Sequence, residues 1–273
     1  MSYLRSIMEL ESGLCVERYL PAITRSRHPM LFVHGNFHGS WMWRNFLEYF
    51  SSKGVFCYAL NFRGHWLSRG HADLGTAVPE DYVQDVHECL AAINGEAILI
   101  GHSMGGVVSQ KAAEGAQRKK LVLLDSAPCK AVTEGNLELD PERKAVTETT
   151  FIPQNDGTLL WAKDRDKTRV LLFEKNKVSA EVLTETVDCL GRESALVLQR
   201  HALLAIDPRK ITCPVYVLGR TGLGNRKNPN LWDALADYLH AADRSIRGDM
   251  SHNMMLEDDW QEHAALIHKW CSE

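Results

Sequence analysis

Residues 98–108 read Ile-Leu-Ile-Gly-His-Ser-Met-Gly-Gly-Val-Val. The run begins as a buried strand and ends as the start of an apolar helix, so Gly101-His102-Ser103-Met104-Gly105 occupies a strand-to-helix turn. A G-x-S-x-G sequence in that context predicts a nucleophile elbow, a tight turn that lifts the serine hydroxyl above the edge of the sheet. We therefore predict that Ser103 is a nucleophile.

Two backbone N–H groups are predicted to stabilise the oxyanion that forms when a serine attacks a carbonyl. The helix after the elbow directs its N-terminal amides at Ser103, which makes the N–H of Met104 the first donor. The second donor is expected from the loop after the third strand, where Gly35 permits close backbone approach and the N–H of Asn36 follows it. That loop reads Val33-His34-Gly35-Asn36-Phe37-His38-Gly39-Ser40-Trp41.

A serine hydroxyl needs a base to remove its proton, and a third group must orient that base. After a G-x-S-x-G elbow, the acid and then the histidine follow the serine along the chain. Of the twelve histidines we predict His252, because Gly248-Asp249-Met250-Ser251-His252 lies in a loop between the last strand and the last helix. The other candidates lie within helix-like segments; they are His201, His240, His263 and His268.

Strand-like and helix-like runs alternate from residue 29 onward, which predicts an α/β fold with a parallel sheet and helices on both faces. Before them, residues 3–10 and 14–20 flank Glu11-Ser12-Gly13 and predict an antiparallel hairpin at the sheet edge. Predicted strands span 30–33, 55–60, 97–100, 121–125, 213–218 and 244–247, and predicted helices span 40–52, 79–93, 104–118, 177–190, 193–205, 230–240 and 257–270.

The alternation lapses between residues 126 and 207, where the chain is charged, predicted to be helical and free of strand-like runs. We predict a core formed by residues 1–125 and 208–273, with 126–207 as a helical cap insertion. The insertion is expected over the carboxyl edge of the sheet, where open α/β sheets bind their ligands.

Composition favours a small-molecule partner. The 273 residues are 45% hydrophobic, carry a formal net charge of −4 and contain no long basic run, so neither nucleic acid nor a membrane surface is an expected partner. The seven cysteines are odd in number, scattered and never in a C-x-x-C pair, which favours the cytoplasm. Residues 1–20 lack the continuous apolar core of a signal peptide.

No metal or nucleotide cofactor is predicted. His34 and His38 are four residues apart, but they lie in a glycine-broken loop and no carboxylate accompanies them. The run Gly222-Leu-Gly224-Asn-Arg-Lys lacks the third glycine of a dinucleotide-binding fingerprint.

The chain resembles the α/β-hydrolase superfamily, in the branch that carries a cap. The resemblance rests on the elbow and on four other runs: His34-Gly35, Arg63-Gly64-His65, Leu121 to Pro128, and His252-Asn253-Met254-Met255-Leu256-Glu257. It covers nearly the whole length outside the cap and implies a mostly parallel eight-stranded sheet. The loop from His34 to Trp41 is also similar to that of plant hydroxynitrile lyases and methyl-ester hydrolases.

The acid of the implied triad is not at its usual place. In most relatives it follows the strand at 213–218, yet residues 208–232 contain no Asp or Glu, and the loop from Gly219 to Lys227 is basic. Some members take the acid from the end of the preceding strand, where Asp125 stands. Asp125 is the predicted acid; Asp249, a Ser-His dyad and Asn225 remain open alternatives.

Three functions are weighed. The first is a serine hydrolase of carboxylic esters, and by extension thioesters or lactones, in which Ser103, His252 and Asp125 work through an acyl-enzyme and the N–H groups of Asn36 and Met104 hold the oxyanion. The second is a lyase of the hydroxynitrile type, for which a cationic cap residue over the pocket would be the discriminating feature. The third is a ligand-binding module on a hydrolase scaffold, suggested by the displaced acid.

Overall fold

The computed structural model describes residues 3–93, 95–133, 141–173, 178–221 and 230–273. Its strands are β1 (Tyr3–Glu9), β2 (Cys15–Pro21), β3 (Met30–Val33), β4 (Cys57–Leu60), β5 (Ile98–His102), β6 (Lys120–Leu124), β7 (Phe151–Pro153), β8 (Thr158–Trp161), β9 (Arg192–Ser194), β10 (Val215–Arg220) and β11 (Asp243–Arg247). Its α-helices are α1 (Arg44–Ser52), α2 (Pro79–Ala92), α3 (Met104–Ala113), α4 (Lys130–Thr133), α5 (Pro141–Thr150), α6 (Arg165–Leu172), α7 (Ala180–Cys189), α8 (Ala195–Arg200), α9 (Leu231–Tyr238) and α10 (Trp260–Ser272).

Eight strands form one sheet in the order β1-β2-β4-β3-β5-β6-β10-β11. The pairs β1–β2 and β2–β4 are antiparallel, and the other five pairs are parallel. The mostly parallel eight-stranded sheet and its edge hairpin are therefore confirmed. The central strands are buried throughout, as continuous apolar runs such as residues 121–124 require when helices cover both faces.

The two faces of the sheet bury separate apolar clusters. One contains residues of α2, α3 and α9, including Val86, Val107 and Leu235. The other contains residues of α1 and α10, including Phe46 and Ile267. None of the helices that the structure describes is both long enough and apolar enough to span a membrane.

The prediction that residues 126–207 lack strands is wrong. β7, β8 and β9 form a small antiparallel sheet, separate from the large one, alongside α4 to α8. Each strand has only three or four residues, too short for a period-two pattern to stand out. The hairpin did leave a signal: Asn155-Asp156-Gly157 joins β7 to β8, and Asp-Gly is a strong turn sequence. The cap boundaries at 126 and 207 stay a prediction.

Two predicted helices differ most from their observed bounds. The helix predicted for 104–118 ends at Ala113, because Glu114 is extended and Gly115 takes a φ of +66°, a common way for a helix to stop. The helix predicted for 193–205 begins only at Ala195, since Glu193 belongs to β9, and it continues after Arg200 as a short 3₁₀ turn.

Candidate active site

Ser103 stands between the end of β5 and the start of α3, in a backbone conformation that few non-glycine residues adopt (φ 53°, ψ −126°). Its N–H donates to the carbonyl of Leu124 at 3.2 Å, and its carbonyl accepts from the N–H groups of Gly106 and Ala127 at 2.9 and 2.8 Å. These bonds hold the strained turn predicted from the elbow sequence.

Two glycines let the backbone close in around the serine. A Cβ on Gly105 would lie 2.2 Å from the carbonyl oxygen of His34, and one on Gly35 would lie 2.8 Å from Cβ of Ser103. Any side chain at either position would push the loop after β3 away from the N-terminus of α3. Both glycines are therefore needed for the close approach of this loop to Ser103 and the N-terminus of α3.

His252 reaches the serine from the loop between β11 and α10. Its Nε2 lies 3.1 Å from Oγ of Ser103, and its side chain keeps 17% of its surface exposed. The loop is fixed on both sides of the ring: His102 Nε2 donates to the His252 carbonyl at 2.9 Å, and the N–H of Ser251 donates to Oε1 of Glu257 at 2.7 Å. The imidazole is therefore anchored while still accessible.

Asp125 contacts the other nitrogen of the same ring. His252 Nδ1 donates to Oδ2 of Asp125, whose side chain is 1% exposed at the end of β6. The N–H of Asp125 donates to the carbonyl of Leu218 in β10 at 2.8 Å, and the residue takes a positive φ of 41° that directs it toward the histidine loop. Asp249 instead binds Arg247 through both carboxylate oxygens. Asn225 lies outside the described residues.

Arg220 is the residue that sequence reasoning missed at this site. It ends β10, where most relatives are expected to carry the acid, and its Nε lies 2.9 Å from the Asp125 Oδ2 that His252 also contacts. Both side chains of this ion pair are almost completely buried. A sequence signal was present, because Arg220 opens a basic run at the place where an acid is expected. A cation buried at that place requires a carboxylate partner nearby.

The electrostatics favour a neutral histidine. Burial lowers the pKa of His252 well below 6.5, and the charges of Arg220 and Arg143 lower it further. Burial raises the pKa of the Asp125 carboxyl, while the Arg220 cation opposes that shift. The arrangement therefore offers a serine hydroxyl, a neutral imidazole and a buried carboxyl group in one line of contacts.

The two predicted oxyanion donors lie next to the serine. Met104 is the first residue of α3, where backbone N–H groups have no acceptor within the helix, and Asn36 lines the same cavity as Ser103. His38 fixes the loop, since its Nδ1 donates to the Asn36 carbonyl at 2.7 Å and its Nε2 accepts from Nδ2 of Asn253 at 3.0 Å. Burial lowers the pKa of His38 to about 4, which suits this neutral form.

A cavity of about 130 Å³ opens onto Ser103 and His252. Its apolar wall comes mainly from residues 126–207, the predicted cap, and comprises Phe37, Phe151, Trp161, Leu171, Leu172 and Leu198. Its polar wall includes Arg143 and Thr147 of α5. Arg143, a cationic residue of this polar wall, donates from Nη2 to the carbonyl of Leu171 at 2.9 Å.

A larger surface depression lies elsewhere. It measures about 790 Å³ and is lined by Met30, Ile98 and Lys120, the first residues of β3, β5 and β6. The starts of these parallel strands are opposite the carboxyl edge that carries Ser103. Size alone therefore does not locate the site; the contacts between the polar side chains do.

Two groups of side chains bear on metal binding. His34 and His38 use all four ring nitrogens in contacts with the protein. Among the residues that the structure describes, one group could hold a metal ion, formed by Glu257, Asp259 and His263, whose ligand atoms lie within 4.8 Å of one another. Oε1 of Glu257 accepts from the N–H of Ser251, so this group lies next to the loop that carries His252.

The chain belongs to the α/β hydrolase family, whose model matches residues 30–266. No curated protein sequence matches it. The fold is similar to that of many solved structures, including a thioesterase domain, a methylesterase and a lipase that share between 15% and 19% sequence identity with this chain.

The thioesterase domain, from the curacin biosynthetic pathway, has 15% identity and a TM-score of 0.67, over 98% of this chain and 100% of that one. The methylesterase, from Arabidopsis, has 16% identity and a TM-score of 0.67, over 90% and 100%. The monoacylglycerol lipase, from Paleococcus ferrophilus, has 19% identity and a TM-score of 0.64, over 99% and 98%. At these identities the likeness concerns the fold.

Proposed function

We propose that this protein is a serine hydrolase of small carboxylic esters, with thioesters and lactones as related substrates. The observation that carries the proposal is the line of contacts from Ser103 Oγ through both ring nitrogens of His252 to Asp125. A serine, a base and an acid in that order are the components of acyl transfer. Family membership and the esterase, thioesterase and lipase neighbours support the same reaction class.

In the first half-reaction, Oγ of Ser103 attacks the substrate carbonyl while Nε2 of His252 takes the hydroxyl proton. The carbonyl oxygen becomes an oxyanion, held by the N–H groups of Asn36 and Met104. Asp125 keeps the proton of the neutral ring on Nδ1 and stabilises the imidazolium. The imidazolium then protonates the leaving oxygen as its bond to the carbonyl carbon breaks, which leaves an ester on Ser103.

In the second half-reaction, His252 removes a proton from water as the water attacks the acyl-Ser103 carbonyl. A second oxyanion forms at the same two N–H groups. Its collapse returns the proton to Oγ of Ser103 and releases the carboxylic acid. The enzyme ends in its starting state, so the scheme balances with the ester and water as its only reactants.

Cavity size and lining set the proposed substrate class. A volume of about 130 Å³ with aromatic and aliphatic walls is close to the roughly 150 Å³ that holds a benzene molecule in an engineered protein cavity. We infer that the acyl group is short or aromatic. Phe37, Phe151 and Trp161 are the walls that would contact it.

The compartment proposed is the cytoplasm. All seven cysteines are free thiols, and four of them, Cys15, Cys57, Cys89 and Cys129, are buried. This usage suits a reducing environment.

The pH dependence of kcat/KM follows from the charges around His252. The base must be neutral to accept a proton, and its pKa is lowered by burial, Arg220 and Arg143, while Asp125 faces it as the counter-charge. The charged form of His38 would lower the pKa of His252 further, but burial lowers the pKa of His38 itself to about 4. We expect kcat/KM to rise with pH only below about 6.5 and to be nearly flat from there to about pH 8. A half-maximal rate at about pH 7 or above in a stopped-flow pH series would contradict this.

The proposal as a whole is tested by intact-protein mass after incubation with a fluorophosphonate, with Ser103→Ala alongside. One adduct on the wild type and none on the variant is the expected result, since the reagent needs an activated serine and an assembled oxyanion hole. Absence of an adduct on both would favour the binding-module hypothesis. An adduct retained by Ser103→Ala would show a different nucleophile.

The position of Arg143 supports a lyase as the second candidate function. It is the cationic cap residue over the pocket that distinguishes the lyase hypothesis, in which Ser103 and His252 move protons without acylation. Release of cyanide from mandelonitrile, lost in Arg143→Gln, would favour the lyase. Release of p-nitrophenol from p-nitrophenyl acetate without cyanide release would favour the hydrolase.

A further inference from the structure

The loop from His34 to Trp41 is named the oxyanion loop, and its Phe37 is held mainly by contacts with residues of the predicted cap. Its N–H donates to Oε2 of Glu193 at 3.3 Å, and its carbonyl accepts from the N–H of Gly191 at 2.9 Å. Its ring packs against Phe151 and Trp161, with centroids 4.7 and 5.3 Å away. Its φ of 65° is strained for a side chain of this size, so the surrounding contacts must maintain it.

The carboxylate of Glu193 on β9 is fully buried, and hydrogen-bond donors contact both of its oxygens. Oε1 accepts from the Tyr82 hydroxyl at 2.6 Å and from the N–H of Ser194 at 2.8 Å. Oε2 accepts from His65 Nε2 at 3.3 Å and from Phe37. One cap side chain thus joins the oxyanion loop, α2 and the Arg63-Gly64-His65 turn. No step of the proposed reaction uses it.

The charges of this cluster support an ion pair. Burial alone lowers the pKa of His65, but the Glu193 carboxylate and the hydrogen bonds outweigh it and raise that pKa. Burial alone raises the pKa of Glu193, yet the His65 charge and the donated hydrogen bonds lower it. Both shifts favour the charged forms, which suits a carboxylate that must accept a backbone N–H in a dry site.

We propose that Glu193 is a positioning residue, through which the cap sets the oxyanion loop in its working conformation. The proposal rests on the proposed function, because it concerns the donor at Asn36. The N–H of Phe37 and the carbonyl of Asn36 belong to one peptide plane, which Glu193 holds from one side and His38 Nδ1 from the other. Holding that plane restricts rotation of the preceding peptide, which carries the N–H of Asn36 in the cavity that Ser103 also lines.

Cap and oxyanion hole are coupled by this arrangement. If the carboxylate is lost, the peptide between Asn36 and Phe37 can rotate and the N–H of Asn36 turns away from the oxyanion, while the Phe37 ring stays packed against Phe151 and Trp161. The cavity walls formed by the cap stay in place, because they pack through apolar contacts. We therefore expect loss of Glu193 to lower kcat and to leave KM nearly unchanged.

Glu193→Gln tests the proposal, with Glu185→Gln as the matched control. Glu185 is also a cap carboxylate that reaches the core, through Arg44 at 2.7 and 3.1 Å, but it does not contact the oxyanion loop. With p-nitrophenyl acetate we expect Glu193→Gln to lower kcat about 10- to 100-fold, because small misplacements cost about that much, and to change KM less than twofold. Fluorophosphonate labelling should slow in parallel. Glu185→Gln should keep kcat within about twofold.

Equal kcat in Glu193→Gln and the wild type, or equal losses in both glutamine variants, would overturn the proposal. If Glu193→Gln does not fold, Tyr82→Phe removes only one hydrogen bond to Oε1 and should lower kcat about 2- to 10-fold at constant KM; an unchanged kcat there would also overturn it. A wild type that neither labels nor hydrolyses the ester would instead count against the proposed function.

Discussion

Replacing His252 with alanine is expected to lower kcat for p-nitrophenyl acetate about 10⁶-fold. Nε2 of His252 lies 3.1 Å from the Ser103 hydroxyl and, among the residues that the structure describes, is the only side-chain nitrogen in hydrogen-bond contact with it. Without that nitrogen, nothing removes the Ser103 hydroxyl proton during attack or the proton of the water that hydrolyses the acyl-enzyme. In a serine protease, loss of the histidine costs about as much as loss of the whole triad, roughly 2 × 10⁶-fold.

The measurement is initial-rate hydrolysis at saturating ester, with the fluorophosphonate adduct as a second readout. His240→Asn is the control, because His240 is exposed at the end of α9 and takes a φ of 50° that asparagine tolerates. The control should stay within about twofold of the wild type. A His252→Ala protein that retained more than about 1% of the wild-type rate would assign the base to another residue.

The large sheet and the strand-to-helix turn at Ser103 were predictable because their signals are local. Residues 98–108 carry strand, turn and helix in one unbroken run, and all parts of the elbow follow from it. The loop after β3 is likewise short, and Gly35 lets it pass close to His102 and Ser103. His252 was predicted because it lies in the loop between the last predicted strand and the last predicted helix.

The sequence predicted Asp125 as the acid but left Asp249 open, since the choice depends on the directions of side chains in irregular loops. Asp249 is three residues from His252 but binds Arg247. Asp125 is 127 residues away, and the structure brings it to the ring. What places it there is the parallel register of β6 and β10, which aligns Leu124 with Leu218 and leaves Asp125 just beyond.

The structure of residues 126–207 was harder still to predict. Its strands are too short for a periodic signal. Glu193 lies 156 residues from Phe37, and nothing in the sequence near either residue indicates their hydrogen bond. A buried carboxylate of this kind is recognised only once its donors are seen.

Asp125→Asn is expected to lower kcat about 10⁴-fold. An asparagine can present its amide N–H₂ to Nδ1 of His252, which stabilises the tautomer with its proton on Nε2. That proton then faces Ser103 Oγ, and the ring can no longer act as the base; the same change in a serine protease costs about 10⁴. The measurement is kcat with p-nitrophenyl acetate, and KM should change little because Asp125 is buried away from the cavity.

Asp249→Asn is the matched control and should keep kcat within about threefold, since its carboxylate is half exposed and paired with Arg247. Asp125→Asn also removes the carboxylate 2.9 Å from Arg220, and breaking a buried ion pair typically costs about 3–5 kcal/mol of stability. Rates are therefore compared well below the melting temperature of the variant, where lost folding cannot mimic lost catalysis. If Asp125→Asn turned over normally while Asp249→Asn collapsed, the acid would be Asp249, and the contact between Asp125 and His252 would serve only to hold the loop.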